Sequence, residues 1–87
     1  MLKIMYRHYL ITFVDENKKE KAFIYVATYS IAEAEKIALE FYENNLMRKY
    51  GDLGYMIETI SSDVYFSHKT VHDKNPEYYD EEYYLED

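Results

Sequence analysis

The chain has 87 residues, no cysteine, and 17 acids against 10 bases, a net charge of −7. That length supports one domain with one modest core and excludes a second lobe enclosing a deep substrate cavity. Without thiols there are no disulfides, thiolate zinc sites or cysteine nucleophile, a composition suited to a reducing cytosol.

The opening, "MLKIMYRHYLITFV", has the apolar look of a signal sequence, but Arg7 and His8 interrupt the run and no small-residue cleavage site follows. No stretch approaches the ~20 apolar residues of a spanning helix, so a soluble, cytoplasmic protein is expected. Residues 4–14 carry a period-2 pattern that sets Met5, Tyr9, Ile11 and Phe13 on one face, which predicts a strand. The polar run Asp15 to Glu20 is a turn, and Lys21 to Thr28 resumes the β pattern. The two strands predict an antiparallel hairpin whose tip is locally basic through Lys18, Lys19 and Lys21.

Ser30-Ile31-Ala32-Glu33 matches a capping box and predicts a helix start. Ile31, Ala34, Ile37, Ala38, Phe41 and Tyr42 then fall on one stripe at helical spacing, while Glu33, Lys36, Glu40 and Glu43 mostly face away. Arg48 and Lys49 suit the negative end of the helix dipole, and Gly51 is placed to stop it. Residues 55–60 return to a strand, Ser61-Ser62-Asp63 predict a turn or bulge, and residues 64–71, "VYFSHKTV", predict a fourth strand or a continuation of the third. The expected fold is therefore α+β over residues 1–72. It is a small antiparallel sheet of three or four strands with one long helix packed on one face, in the order β-β-α-β or β-β-α-β-β.

Residues 73–87 differ in kind and form an acidic, tyrosine-rich tail. They hold seven acids against one base, so nearly all the excess charge sits there beside an almost neutral body. Asn75 and Pro76 suit the start of a short helix, in which Tyr79 and Tyr83 would stack at i, i+4. If residues 76–87 were helical, six carboxylates would spread over roughly 18 Å, about one per 3 Å. That is close to the phosphate spacing of ~3.4 Å per strand in duplex DNA. Tyrosine anchors interfaces well because it offers a large contact area at low entropic cost. The candidate partner-binding residues are therefore Glu77, Tyr78, Tyr79, Asp80, Glu81, Glu82, Tyr83, Tyr84, Glu86 and Asp87. The charge disfavours direct binding of nucleic acid or an anionic membrane and favours a basic protein partner.

Other chemistry is weakly signalled. His68 and His72 on a strand would lie ~13 Å apart, too far for one metal site even with His8 available. Glu58 and Asp63 are the obvious acid/base pair, but a sheet this small offers no pocket to separate their pKa values. The two glycines allow no phosphate-cradling loop. The expectation is a non-enzyme with no metal and no cofactor. Acids in the basic turn (Asp15, Glu16, Glu20) also offset it as a nucleic-acid patch.

In size, acidity, lack of cysteine and lack of a catalytic motif, the chain resembles small phage-encoded inhibitors of the anti-CRISPR and anti-restriction class, whose acidic surfaces often imitate DNA. The resemblance implies an inhibitor acting in a host cytoplasm on the basic groove of a nucleic-acid-processing enzyme. It rests on no family motif, so it assigns no residues. The competing expectation is a structural or assembly protein that pairs with copies of itself through a sheet edge or exposed tyrosines.

Overall fold

The computed structural model describes residues 6–74 and 82–86. Strands β1 (Arg7–Val14) and β2 (Glu20–Thr28) form the expected antiparallel hairpin, with Tyr9 opposite Val26, Ile11 opposite Ile24 and Phe13 opposite Ala22. All six are buried, as an apolar alternation facing a core requires. The turn is organised by Asp15, whose Oδ1 accepts from the backbone N–H groups of Asn17 and Lys19, each at 2.9 Å. Lys18 takes the left-handed conformation, φ 63°, that the reversal needs.

Helix α1 (Ile31–Phe41) starts where the capping box predicts, with Ser30 Oγ accepting from the Glu33 backbone N–H at 3.3 Å. It runs through a π-helical turn (Tyr42–Leu46) into α2 (Met47–Tyr50) and stops at Gly51, φ 73°. The π turn has a packing reason. Phe41 and Leu46 are both buried, yet five α-helical residues would rotate them about 140° apart. The wider turn, closed by Met47 N–H to the Tyr42 carbonyl, returns Leu46 to the sheet side. Asn45 Nδ2 donates to the Phe41 carbonyl at 3.1 Å within this widened turn, and Tyr42 O–H donates to the Gly51 carbonyl at 2.6 Å, pinning the helix end. Along the predicted stripe Ala34, Ala38 and Phe41 are buried and Ile37 and Tyr42 half-buried. Ile31 departs from it, 54 % exposed, because it stands in the first turn, ahead of Ala34, the first residue buried on the sheet.

Strand β3 (Gly54–Ile60) follows as expected and pairs antiparallel with β1, Ile57 opposite Ile11. Beyond it the expectation of a strand over residues 64–71 is overturned by helix α3 (Ser62–Lys74). Ser61, expected in a turn or bulge, is the residue that starts it. Its Oγ accepts from the Val64 backbone N–H at 3.2 Å and its carbonyl from the Tyr65 N–H at 3.1 Å. The tail is corrected as well, since Glu82–Glu86 form strand β4 rather than part of a short helix.

The sheet order is β3-β1-β2-β4. β4 joins β2 in parallel, so the sheet is mixed and not purely antiparallel. Because β2 and β3 are both antiparallel to β1, β2, β3 and β4 all run the same way, so β3 and β4 are each reached by a crossover. The crossover holding α1 goes from β2 outward to β3, and that holding α3 returns across the sheet to β4. Crossovers share one hand, so two that travel in opposite directions place their helices on opposite faces. That is the arrangement found, and it corrects the expectation of a helix on one face only. One core contains Tyr9, Ile11, Phe13, Ala22, Ile24, Val26, Ala34, Ala38, Phe41 and Leu46; the other contains Tyr25, Ala27 and Tyr65. Among the described residues no helix is long and apolar enough to cross a membrane.

Candidate partner-binding site

Of the ten candidate residues, Glu82, Tyr83, Tyr84 and Glu86 lie on β4; Glu77, Tyr78, Tyr79, Asp80, Glu81 and Asp87 lie outside the described residues. Consecutive strand residues point to opposite faces, so Tyr83 and Leu85 join the first core and Tyr84 the second. The Tyr83 ring meets Phe41 edge-on, centroids 4.6 Å apart. The Tyr84 ring stacks on Tyr25 at 5.1 Å and 13° and stands edge-on to Tyr65 at 6.2 Å. These two tyrosines fasten the segment to the fold, so their rings serve the protein's own packing.

The strand also changes the spacing of charge. Glu82 and Glu86 sit opposite Phe23 and Ala27 of β2, four residues and ~13 Å apart. A helical density of one carboxylate per ~3 Å therefore does not hold over this stretch. What the fold supplies instead is anchorage. The chain leaves α3 at Lys74 and is back on the sheet at Glu82, and Glu77, Asp80 and Glu81 fall between these two elements in sequence.

His8 and His68 are packed against aromatic rings. His68 lies on α3 and stacks on Tyr25 at 4.9 Å and 21°, and His8 packs 4.7 Å from Tyr65 and 5.7 Å from Phe66. The strand-based separation of His68 and His72 does not apply, since both belong to α3. Among the described residues no group of three or more His, Asp or Glu is placed to hold a metal ion.

Glu58 and Asp63 are both exposed, the first on β3 opposite Leu10 and the second in the first turn of α3. An open depression of about 410 Å³ lies elsewhere, lined by Asp15, Glu16, Lys21, Tyr50 and Asp52. There the Lys19 backbone N–H holds the Asp15 carboxyl below its ordinary 3.8, helped by the Asn17 N–H and the Lys21 ammonium against a raising contribution from desolvation. Lys21 Nζ lies 3.8 Å from Asp15 Oδ2, so the basic hairpin tip is partly neutralised from within.

The sequence raised exposed tyrosines and an exposed sheet edge without locating them, and the fold places two such features. Tyr6 and Tyr29 stack at 5.0 Å and 20°, hydroxyls 3.4 Å apart, at the open end of the hairpin. The β1–β2 register, in which Arg7 faces Thr28, would have revealed them as neighbours. The other is the outer edge of β3, where Met56 is 57 % exposed and no described strand pairs. Compared with known proteins, the chain matches no protein family, no curated protein and no solved structure.

Proposed function

We propose that the chain is a protein-binding inhibitor whose acidic C-terminal segment occupies the basic, nucleic-acid-binding groove of a processing enzyme in the host cytoplasm. The observation that carries this reading is the charge asymmetry: residues 73–87 hold seven acids and one base in a chain of net charge −7. A groove lined with lysine and arginine attracts such a segment over long range and rewards it with charge-assisted hydrogen bonds at contact. The flanking elements support the reading, because α3 up to Lys74 and β4 from Glu82 fix the points of approach and exit and so lower the entropic cost of docking. The contact falls to Glu77, Asp80, Glu81, Glu82, Glu86 and Asp87, with Tyr78 and Tyr79 as aromatic anchors, while Tyr83 and Tyr84 hold the segment in place.

The test is capture from host extract by the full chain, in parallel with the variant Glu77→Gln/Asp80→Asn/Glu81→Gln. The expected result is one or more nucleic-acid-binding enzymes retained by the parent, released by added duplex DNA or RNA and by salt, and absent from the variant. Retention of the same proteins by the neutralised variant overturns the reading.

A further inference from the structure

The two edges of the sheet are treated in opposite ways. β4 carries Glu82 and Glu86 and continues the most acidic part of the chain. β3 carries Glu58 as its single charge, contains no lysine and no proline, and runs without a bulge through seven consecutive pairs with β1, Gly54 to Ile60. Proteins ordinarily blunt an edge with charge, proline, a bulge or a short length, because its unpaired backbone groups accept another strand. Among the described residues that protection amounts to one glutamate. Five of the seven residues are exposed, including Tyr55 and Met56.

We propose that β3 adds to β3 of a second copy, antiparallel about a two-fold axis through Ile57, giving one continuous eight-stranded sheet. The occupant follows from self-complementarity and charge. The register that pairs all seven residues sets Ile57 against Ile57, Tyr55 against Thr59, and Met56 against Glu58, with no like charges opposed. Shifting the axis to Glu58 would oppose two carboxylates, which destabilises a cross-strand pair. The wider charge pattern agrees. In this dimer the two β4 strands lie at the far ends of the sheet, seven strand spacings or ~34 Å apart, well beyond the screening length of ~8 Å. Pairing through β4 would instead bring the two acidic segments together. Main-chain hydrogen bonds along the added strand supply the affinity.

This inference is independent of the inhibitor reading, since neither β3 nor Ile57 belongs to the acidic segment. Sedimentation equilibrium of the full chain over a concentration series tests it, with Met56→Glu, Met56→Lys and the double variant Met56→Glu/Glu58→Lys. Each substitution falls on an exposed position, and circular dichroism with a urea midpoint checks that the fold is kept. The parent should form a dimer. Met56→Glu, which opposes like charges twice per dimer, should weaken it about tenfold. Met56→Lys should leave it as strong or stronger, and the double variant should recover the parent's affinity. A parent chain that stays monomeric at the highest concentration overturns the proposal, as does a dimer indifferent to Met56→Glu. A dimer that strengthens only when acids of the C-terminal segment are neutralised places the contact at β4 and also overturns it.

Discussion

The two faces of the sheet are built from different materials. Against α1 the sheet presents a broad row of Tyr9, Ile11, Phe13, Ala22, Ile24 and Val26, and the helix answers with Ala34 and Ala38, both fully buried, so the backbones approach closely around Ile11, Ile24 and Val26. Against α3 it presents Tyr25, Ala27 and His8, and of the helix residues whose side chains are described only Tyr65 is buried. That face is held by ring contacts: Tyr65 with His8, Tyr25 and Tyr84, and Tyr25 with His68. Each such pair is worth about 0.5–1.5 kcal/mol beyond its buried area. One face is thus a broad seam of mixed aliphatic and aromatic residues and the other a small cluster held mainly by rings. Local stability follows buried apolar contact, so α3 should open before α1. β4 is where the faces meet, since Tyr83 and Leu85 belong to one and Tyr84 to the other.

The largest expected effect tests that meeting point. Truncation after Asn75 removes Tyr83, Tyr84 and Leu85 together and uncovers Phe41, Tyr25 and Tyr65. At roughly 1.5–3 kcal/mol per large apolar side chain, the loss should be about 5 kcal/mol, enough to unfold a chain of this size. Urea denaturation measures it. An unchanged midpoint would mean that β4 contributes to neither face, and the segment would again be a tail.

Next come single side chains, one from each face. Phe41→Ala and Tyr65→Ala should each cost about 3–4 kcal/mol, as large-to-small changes in a core do. Tyr65→Phe should cost about 1 kcal/mol for the hydroxyl that donates to the Leu85 carbonyl at 3.4 Å. If Tyr65→Ala is nearly neutral while Phe41→Ala is not, the α3 face is a surface contact and α1 alone covers a core.

The helix caps give a smaller and more selective comparison. Ser30→Ala and Ser61→Ala each delete one acceptor for an N-terminal backbone N–H and should each cost about 1 kcal/mol. Their signatures should differ in hydrogen exchange. Ser61→Ala should speed exchange in α3 with α1 unaffected, because α3 already opens by a local route. Ser30→Ala should speed exchange only as far as global unfolding rises. Equal protection in both helices of the parent chain would break the proposed order of opening.

The smallest effect lies at the hairpin tip, away from both helices, and serves as a reference. The folded-state pKa of Asp15 is depressed below 3.8, so its contribution is complete above that value and is lost as pH falls through the lower, folded one. An NMR titration should give an Asp15 midpoint below 3.8. The Asp15→Asn variant should lose this acid-dependent part while the two cores are unchanged.

The sequence by itself determined the first face. Alternation in β1, a capping box at Ser30, a stripe through Ala34, Ala38 and Phe41 and a glycine stop at Gly51 are local signals that agree with one another, and all four are realised. It also determined where the charge lies, which no fold can alter. The second face was decided by tertiary structure. Val64, Tyr65, Phe66 and Val71 favour a strand by propensity, and α3 shows no apolar stripe to argue otherwise. Yet β4 runs parallel to β3 and lies two strands beyond β1, so the connection between them must cross the sheet, and a helix is the usual way to do so while satisfying its own backbone. The tail followed the same logic. Asn75-Pro76 is a sound local start for a helix, but Tyr83, Tyr84 and Leu85 gain more by filling a core on each side of a strand than two isolated helical turns could supply. That gain exists only once β2 is in place to receive them.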